Sequence, residues 1–288
     1  MKYLSFNQFL KSKFGQRVQK ISLDPGLGCP NRAKDKSGGC IFCNLKGSGT
    51  GLSFKGIDIK EQIEIGISWA KRRYKAKKFI AYFQAYSNTY GDLSTLEKIY
   101  RPVLEFPDIV GVSIGTRPDC ISSEVLELIK TLFDKKMVWM EYGLQSSSNK
   151  TLSLINRGHN VEDFINAVEL TKKYPFLICT HVIFGLPGES EKEMFDTIRL
   201  VSALKIDGIK FHELYVVRDT KLHEMFQKGK YHPISQKEYA KLVARSIKML
   251  PLNTVIQRLT GDPAKDELVA PTWAKDKQKT IELISKFL

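Results

Sequence analysis

Three of the five cysteines in this chain fall in one short stretch, CPNRAKDKSGGCIFC, at residues 29–43. Ten residues separate Cys29 from Cys40, and two separate Cys40 from Cys43. An odd number of thiols crowded into a polar, lysine-rich loop is no disulfide framework; it points to metal binding or catalysis. Structural zinc wants four tetrahedral ligands, commonly two close cysteine pairs. Only one close pair exists here, so zinc would need a histidine or Cys120 brought in from afar. Three thiolates can instead hold three irons of a [4Fe–4S] cluster and leave the fourth iron open to a ligand that is itself a cofactor. Gly38 and Gly39 would let the loop turn tightly enough to wrap a cluster. Cys120 and Cys179 stand alone, too few for a second cluster, and read as structural.

Alternation along the later apolar runs supplies a second set of candidates. Glu141, Gly143 and Gln145 share one face, as do Cys179, His181 and Ile183, and Lys210, His212 and Leu214. If the face with Gln145 points inward, Glu141 becomes a buried carboxylate beside a cationic cofactor. His181, Lys210 and His212 are then candidates for substrate contact or proton transfer. Each taken singly also fits a satisfied polar residue near the rim. In GTRPD, residues 115–119, Arg117 and Asp119 fit either a cavity wall or an ordinary turn.

Positioning these groups requires a repeating scaffold, and the chain supplies one. Apolar, β-rich runs at residues 18–24, 78–83, 109–115, 138–144, 176–184 and 208–217 alternate with helix-period segments centred near Ile65, Leu96, Leu126, Ala167 and Thr197. Right-handed crossovers between such units give a parallel sheet. A full eight-unit barrel needs about 250 residues. Six units ending near Val217 fit an α/β partial (β/α)6 TIM-like barrel at residues 1–234, with a helix-strand-helix extension at 235–288 packed on it. Chemistry in such folds sits at the C-terminal ends of the strands, where the cysteine loop directly follows the first run.

At 288 residues and 42% hydrophobic content the chain can bury a large core, which excludes disordered and fibrous classes. No secretory leader or run of membrane-spanning length is visible, so a cytoplasmic protein without membrane attachment is expected. The net charge of +14 asks for a polyanionic partner, nucleic acid being the usual one. The densest basic run, KRRYKAKK at 71–78, lies in a helix-to-strand connection, which a barrel places at the face away from the mouth.

The cysteine loop, the CIFC half-motif with aromatic Phe42, the pair Gln145 and Arg157 twelve positions apart, and the segment THVIFGLPGE together resemble radical S-adenosylmethionine (SAM) enzymes over nearly the whole chain. The similarity is to the YhcC-like branch, the elongator catalytic subunit and oxygen-independent coproporphyrinogen dehydrogenase. The common motif has three residues between its first two cysteines; the ten found here are shared with that branch. The resemblance implies that Cys29, Cys40 and Cys43 bind a [4Fe–4S] cluster whose open iron takes the amino and carboxylate groups of SAM. It further implies Gln84, in the turn after the second run, at the SAM amino group in place of a Gly-Gly-Glu-like turn. By the same resemblance Gln145 serves the ribose hydroxyls, Arg157 the SAM carboxylate and Ile183 the adenine. His181 stands where the coproporphyrinogen enzyme carries aspartate. An electron donor such as flavodoxin or ferredoxin is implied. So is a tRNA substrate, with the carbon-5 side chain of the wobble uridine converted from carboxymethylaminomethyl to aminomethyl. Small-molecule radical chemistry on a porphyrin-like substrate, and a zinc-containing RNA-binding protein without catalysis, are the alternatives.

Overall fold

The computed structural model describes residues 3–33, 37–45, 47, 49, 51–264 and 266–288. Among these described residues ten strands run in chain order as β1 (Leu4–Ser5), β2 (Val18–Leu23), β3 (Lys78–Phe83), β4 (Ile109–Thr116), β5 (Met137–Gln145), β6 (Leu177–Phe184), β7 (Gly208–Glu213), β8 (Val216–Val217), β9 (Val255–Arg258) and β10 (Leu268–Ala270). Between them lie α1 (Phe6–Phe14), α2 (Ile59–Tyr74), α3 (Leu93–Tyr100), α4 (Ser123–Leu132), α5 (Asn149–Leu154), α6 (Val161–Thr171), α7 (Glu191–Ala203), α8 (Lys221–Gln227), α9 (Gln236–Met249) and α10 (Lys277–Phe287). Side-chain N-caps start the crossover helices, with capping boxes at Asn160/Asp163 and Ser190/Glu193.

Eight strands form one sheet in the order β1-β9-β7-β6-β5-β4-β3-β2, and every neighbouring pair is parallel. The six expected units are β2 to β7. The strand of the C-terminal extension, β9, enters the sheet itself between β7 and the N-terminal β1. The run expected at 208–217 is two strands, because the chain leaves the sheet after Glu213 and β8 pairs antiparallel with β10. The sheet is curled: Lys20 Nζ on the edge strand β2 reaches Gln257 Oε1 on β9, near the opposite end of the strand order, at 2.9 Å. This is an α/β half-barrel, open on the side where β2 faces β9 and β1.

Alternation sorts each strand between two environments. On β5, Val138, Met140, Tyr142 and Leu144 join the main apolar core beneath the helices, while Trp139 and Glu141 turn inward and are fully buried. Trp139 plugs the floor with Cys179 and Val255, and Phe6 and Phe9 of α1 meet its indole edge-on at 6.0 and 5.6 Å. Gly208 is required there, since a Cβ would lie 2.9 Å from the indole. Above this floor the interior turns polar. Among the described residues, no helix is long and apolar enough to cross a membrane.

Candidate active site

The cysteine loop leaves the C-terminal end of β2 and folds against the turn between α5 and α6. Residues 34–36 lie outside the described part of the loop. Gly38 and Gly39 both take positive φ, 77° and 87°, as a tight reversal demands. A Cβ on Gly39 would press to 2.9 Å from the Arg32 guanidinium. Asn31 donates to the Asn156 carbonyl at 2.6 Å, Asn156 returns a bond to the Gly39 carbonyl at 2.7 Å, and the Ile41 amide donates to the Ile155 carbonyl at 3.0 Å. Cys40 is buried, and its Sγ accepts from Arg157 Nη1 at 3.5 Å and from Asn31 Nδ2 at 3.8 Å. Burial, then the neighbouring Cys40, holds the Cys43 thiol above its ordinary range, with Arg32 opposing.

Arg157 is fixed from both sides. Its Nη2 donates to the Gly143 carbonyl at 2.8 Å, and its own carbonyl accepts from Arg117 Nη1 at 2.6 Å. Arg117 is itself clamped by Asp119 at 2.9 and 2.7 Å, so the turn motif GTRPD acts by locating Arg157. A side chain at position 143 would sit 2.5 Å from Arg157 Nη2 and 2.7 Å from Gln145 Nε2, so glycine keeps that space. Gln145 carries φ of +71°, an uncommon conformation for a residue with a Cβ, and it ends β5 facing the cavity. The next residue, Ser146, donates to Glu189, whose carboxyl is pushed up to about 7 by burial. Two polar atoms here, Gln145 Oε1 and Arg157 Nε, are buried without a partner among the described residues.

A cavity of about 460 Å³ opens above these groups, lined by Phe42, Gln84, Gln145, His181, Ile183 and His212 among others. Ser22 Oγ donates to Gln84 Oε1 at 3.2 Å. Deeper in the barrel Glu141 is the hub of a charged cluster: Lys20 Nζ lies 2.6 Å away, His181 Nε2 2.9 Å away, and Lys210 Nζ donates to the same oxygen as His181. Lys210 Nζ also donates to the Tyr82 hydroxyl at 2.9 Å. The His212 ring lies 5.7 Å from His181.

Burial alone would raise the Glu141 pKa, but Lys20 and Lys210, then His181, hold it well below the ordinary carboxylate range. Burial draws Lys210 down to about 7 against the pull of Glu141. An ionised Glu141 takes a proton-bearing Nε2 from His181, which leaves His181 Nδ1 as the basic nitrogen. Burial first, then the Lys210 charge, lowers His181 to about 4. Burial and the Arg157 charge do the same for His159. Burial and Arg258 put His212 well below its ordinary value.

These depressed histidines set a sign for stability. Their folded pKa values lie below the unfolded value near 6.5, so as pH falls through that value the unfolded chain binds protons that the folded chain refuses. Between pH 7 and pH 5 His159 and His181, each drawn down to about 4, should each cost roughly 2 kcal/mol, His212 acts in the same direction, and Glu189, pushed up to about 7, offsets about one of them. Urea midpoints measured across that range should fall steeply, and less steeply in His181→Gln.

Sequence reasoning placed Glu141, His181, Lys210 and His212 on inward faces, and the structure brings them together. It missed Lys20, Tyr82, Arg258 and Gln257. The alternation Val18, Lys20, Ser22 was open to the same argument as β5, and it marks Lys20 as inward.

Comparison with known proteins bears on the whole chain. Residues 24–201 match the Radical SAM superfamily, and residues 206–288 match the Radical_SAM C-terminal domain. The chain belongs to the radical SAM superfamily. It is 37% identical to MJ0486 of Methanocaldococcus jannaschii over 99% of this chain and 89% of that protein. It is 32% identical to the tRNA uridine(34) acetyltransferase of Methanocaldococcus infernus, over 53% of this chain and 29% of that protein. The archaeal Methanocaldococcus infernus Elp3 superposes with a TM-score of 0.70 at 20% identity, covering 92% of this chain and 62% of that one, which shows a shared fold. Membership of this enzyme superfamily implies a [4Fe–4S] cluster and SAM.

The residues present fit that pair of groups. The buried Cys40 sulfur faces two donors, and unpartnered polar atoms of Gln145 and Arg157 stand beside the same loop.

Proposed function

We propose that Cys29, Cys40 and Cys43 hold a [4Fe–4S] cluster and that the cavity beside them takes SAM. The observation that carries this reading is the buried Cys40 sulfur bonded to Arg157, with Gln145 Oε1 and Arg157 Nε left unpartnered next to it. When bound, the cluster and SAM supply a 5′-deoxyadenosyl radical that removes a hydrogen atom from a strong C–H bond of the substrate. The chain's part is to position and to exclude water. Arg157 offers paired donors to the SAM carboxylate, Gln145 meets the ribose hydroxyls, Gln84 the amino group, and Phe42 and Ile183 pack around the adenine. Glu141 holds Lys210 and His181 in place. Lys210 Nζ, His181 Nδ1 and the unpartnered His212 Nε2 then serve as the proton-handling and substrate-contacting atoms of the lumen.

The substrate we propose is tRNA, with the hydrogen atom taken from the carbon-5 side chain of the wobble uridine on the way from carboxymethylaminomethyl to aminomethyl uridine. Supporting it are the net charge of +14 and the partial match to a protein named for acting on tRNA uridine 34. A flavodoxin- or ferredoxin-class protein would deliver the electron. The test is anaerobic reconstitution with iron and sulfide, then dithionite and SAM, following 5′-deoxyadenosine with and without tRNA from a strain lacking this protein. Formation that rises with that tRNA supports both parts. Formation indifferent to tRNA removes the substrate assignment, and none from a well-loaded cluster removes the radical reading.

One substitution isolates SAM binding from cluster binding. Arg157→Lys keeps a charge but loses the planar fork. A lost charged hydrogen bond of about 1.5–3 kcal/mol should raise the KM for SAM by at least about tenfold. The visible absorbance of the cluster should persist.

A further inference from the structure

A second cavity, of about 520 Å³, opens on the incomplete side of the barrel, between β2 with its helix α2 and the far edge carrying β9. Its lining includes Lys20, Arg72, Lys210 and Arg258 and, among the described residues, no aspartate or glutamate. Glu141, behind the wall, neutralises part of the two lysines. Neither arginine has an ion-pair or hydrogen-bond partner among the described residues. For exposed Arg72 that is ordinary. Arg258, half-buried on a sheet strand, borders both cavities; its charge acts on the nearby buried Glu213 carboxylate, but no carboxylate among the described residues pairs with it directly, which leaves its guanidinium donors for an anion.

The backbone explains how Arg258 comes to be there. The register of β9 against β7 slips between Ile209 and Lys210, so that Lys210 pairs with Arg258 where simple counting gives Gln257. A bulge of this kind re-aims side chains, and here both Gln257 and Arg258 reach the cavity. Gln257 Oε1 accepts from Lys20, leaving its Nε2 buried and unpartnered, a further donor.

Across the opening, Ile65, Trp69 and Arg72 share one face of α2 at helical spacing, and all three line the cavity. Ile65 and Trp69 are 44% and 46% exposed, and Tyr74 meets the Trp69 indole edge-on at 5.1 Å, which steadies the ring at the rim. A cationic cleft with an exposed aromatic at its rim is the pattern of single-stranded nucleic-acid binding, phosphates on the arginines and a base on the ring. The basic run that begins at Lys71 thus borders this lateral cavity through Arg72.

We propose that this lateral cleft binds single-stranded RNA next to the reacting nucleotide, a phosphodiester lying against Arg258, Gln257 and Arg72 and a base stacking on Trp69. The proposal rests on the RNA reading above and deepens it by naming the surface. The test is a fluorescence-anisotropy titration of the anaerobically reconstituted full chain with a labelled, unmodified, unstructured RNA oligonucleotide over a range of salt. Because the oligonucleotide carries no reactive side chain, the affinity read is that of phosphates and bases. Arg258→Gln and Arg72→Ala should each weaken binding severalfold and lower the slope of log affinity against log salt by about 0.7, the value for one phosphate on a single strand. Trp69→Ala should weaken binding roughly tenfold and leave the slope unchanged. Arg258→Lys should keep the slope, which separates lost charge from lost folding, and Arg199→Ala on the distant helix α7 should change neither quantity. Wild-type slope and affinity in both charge-removing arginine variants, with RNA still bound, overturn the cleft and leave the tRNA reading standing. A wild-type chain without affinity for the oligonucleotide or for tRNA overturns both.

Discussion

Cys40→Ala protein, reconstituted anaerobically with iron and sulfide, is expected to retain no stable cluster and to form 5′-deoxyadenosine at less than about one-thousandth of the wild-type rate, a barrier increase of roughly 4 kcal/mol or more. Of the three proposed ligands Cys40 is expected to show the largest effect, because it is buried and its sulfur accepts from both Arg157 and Asn31. Its loss removes a thiolate and also frees the arginine proposed to hold SAM. Iron, sulfide and product are measured on the same preparation, with Cys120→Ser as the control. Cys120 lies in the turn after β4, and burial pushes its thiol up to about 11, an inert environment. Full iron content in Cys40→Ala would refute the three-thiolate assignment. Stoichiometric zinc with no iron in the wild-type chain would favour a structural metal.

How much of this was legible in the sequence depends on whether a local rule sufficed. The cysteine spacing and the alternation of β5 are local, and both point to the candidate site proposed above. Trp139, Glu141, Gly143 and Gln145 face inward as alternation requires, while Val138, Met140, Tyr142 and Leu144 face the helices. Arg258 was hidden because the bulge in β9 breaks the very alternation that would have placed it. Arg117 reads as a turn residue, and it does sit in a turn. Its role comes from the Arg157 carbonyl forty positions later, a contact no local pattern contains. The basic run at Lys71 lies in a helix-to-strand connection, which a closed barrel puts at the face away from the mouth. In a half-barrel, one face of α2 borders the open side, and Arg72 lines the lateral cavity there. In α1, Phe6, Phe9, Leu10 and Phe14 recur at helical spacing, but that Phe6 and Phe9 close the floor by packing on Trp139 is a contact no local pattern contains.

The second large effect is expected at Glu141. The carboxylate is fully buried and compensates two ammonium groups at once, so Glu141→Gln leaves Lys20 and Lys210 facing each other without a counter-charge. Breaking a buried pair from one side costs about 3–5 kcal/mol, which lowers Tm by on the order of 10 °C in a chain of this size. Replacing both partners should behave differently. Glu141→Gln combined with Lys210→Met removes the charge and its principal buried partner, and most of the lost stability should return. That separation decides what the cluster is for. If the double variant recovers its Tm and also its SAM-dependent product formation, the charges serve only to satisfy one another. If it recovers Tm, keeps its iron and still forms product at least about 10²-fold more slowly, then Lys210 or His181 acts on the substrate, as the general acid–base magnitude would require. The pH dependence gives a second reading of the same question. Glu141 is held well below its ordinary value, so its contribution to stability is present above about pH 4.3 and is lost only as pH falls towards its folded pKa. Lys210, drawn down to about 7, titrates near neutrality. A rate profile for product formation with an inflection near neutrality that disappears in Lys210→Met would therefore assign the proton to Lys210 Nζ, because the neighbouring Glu141 and His181 are both placed to titrate well below it.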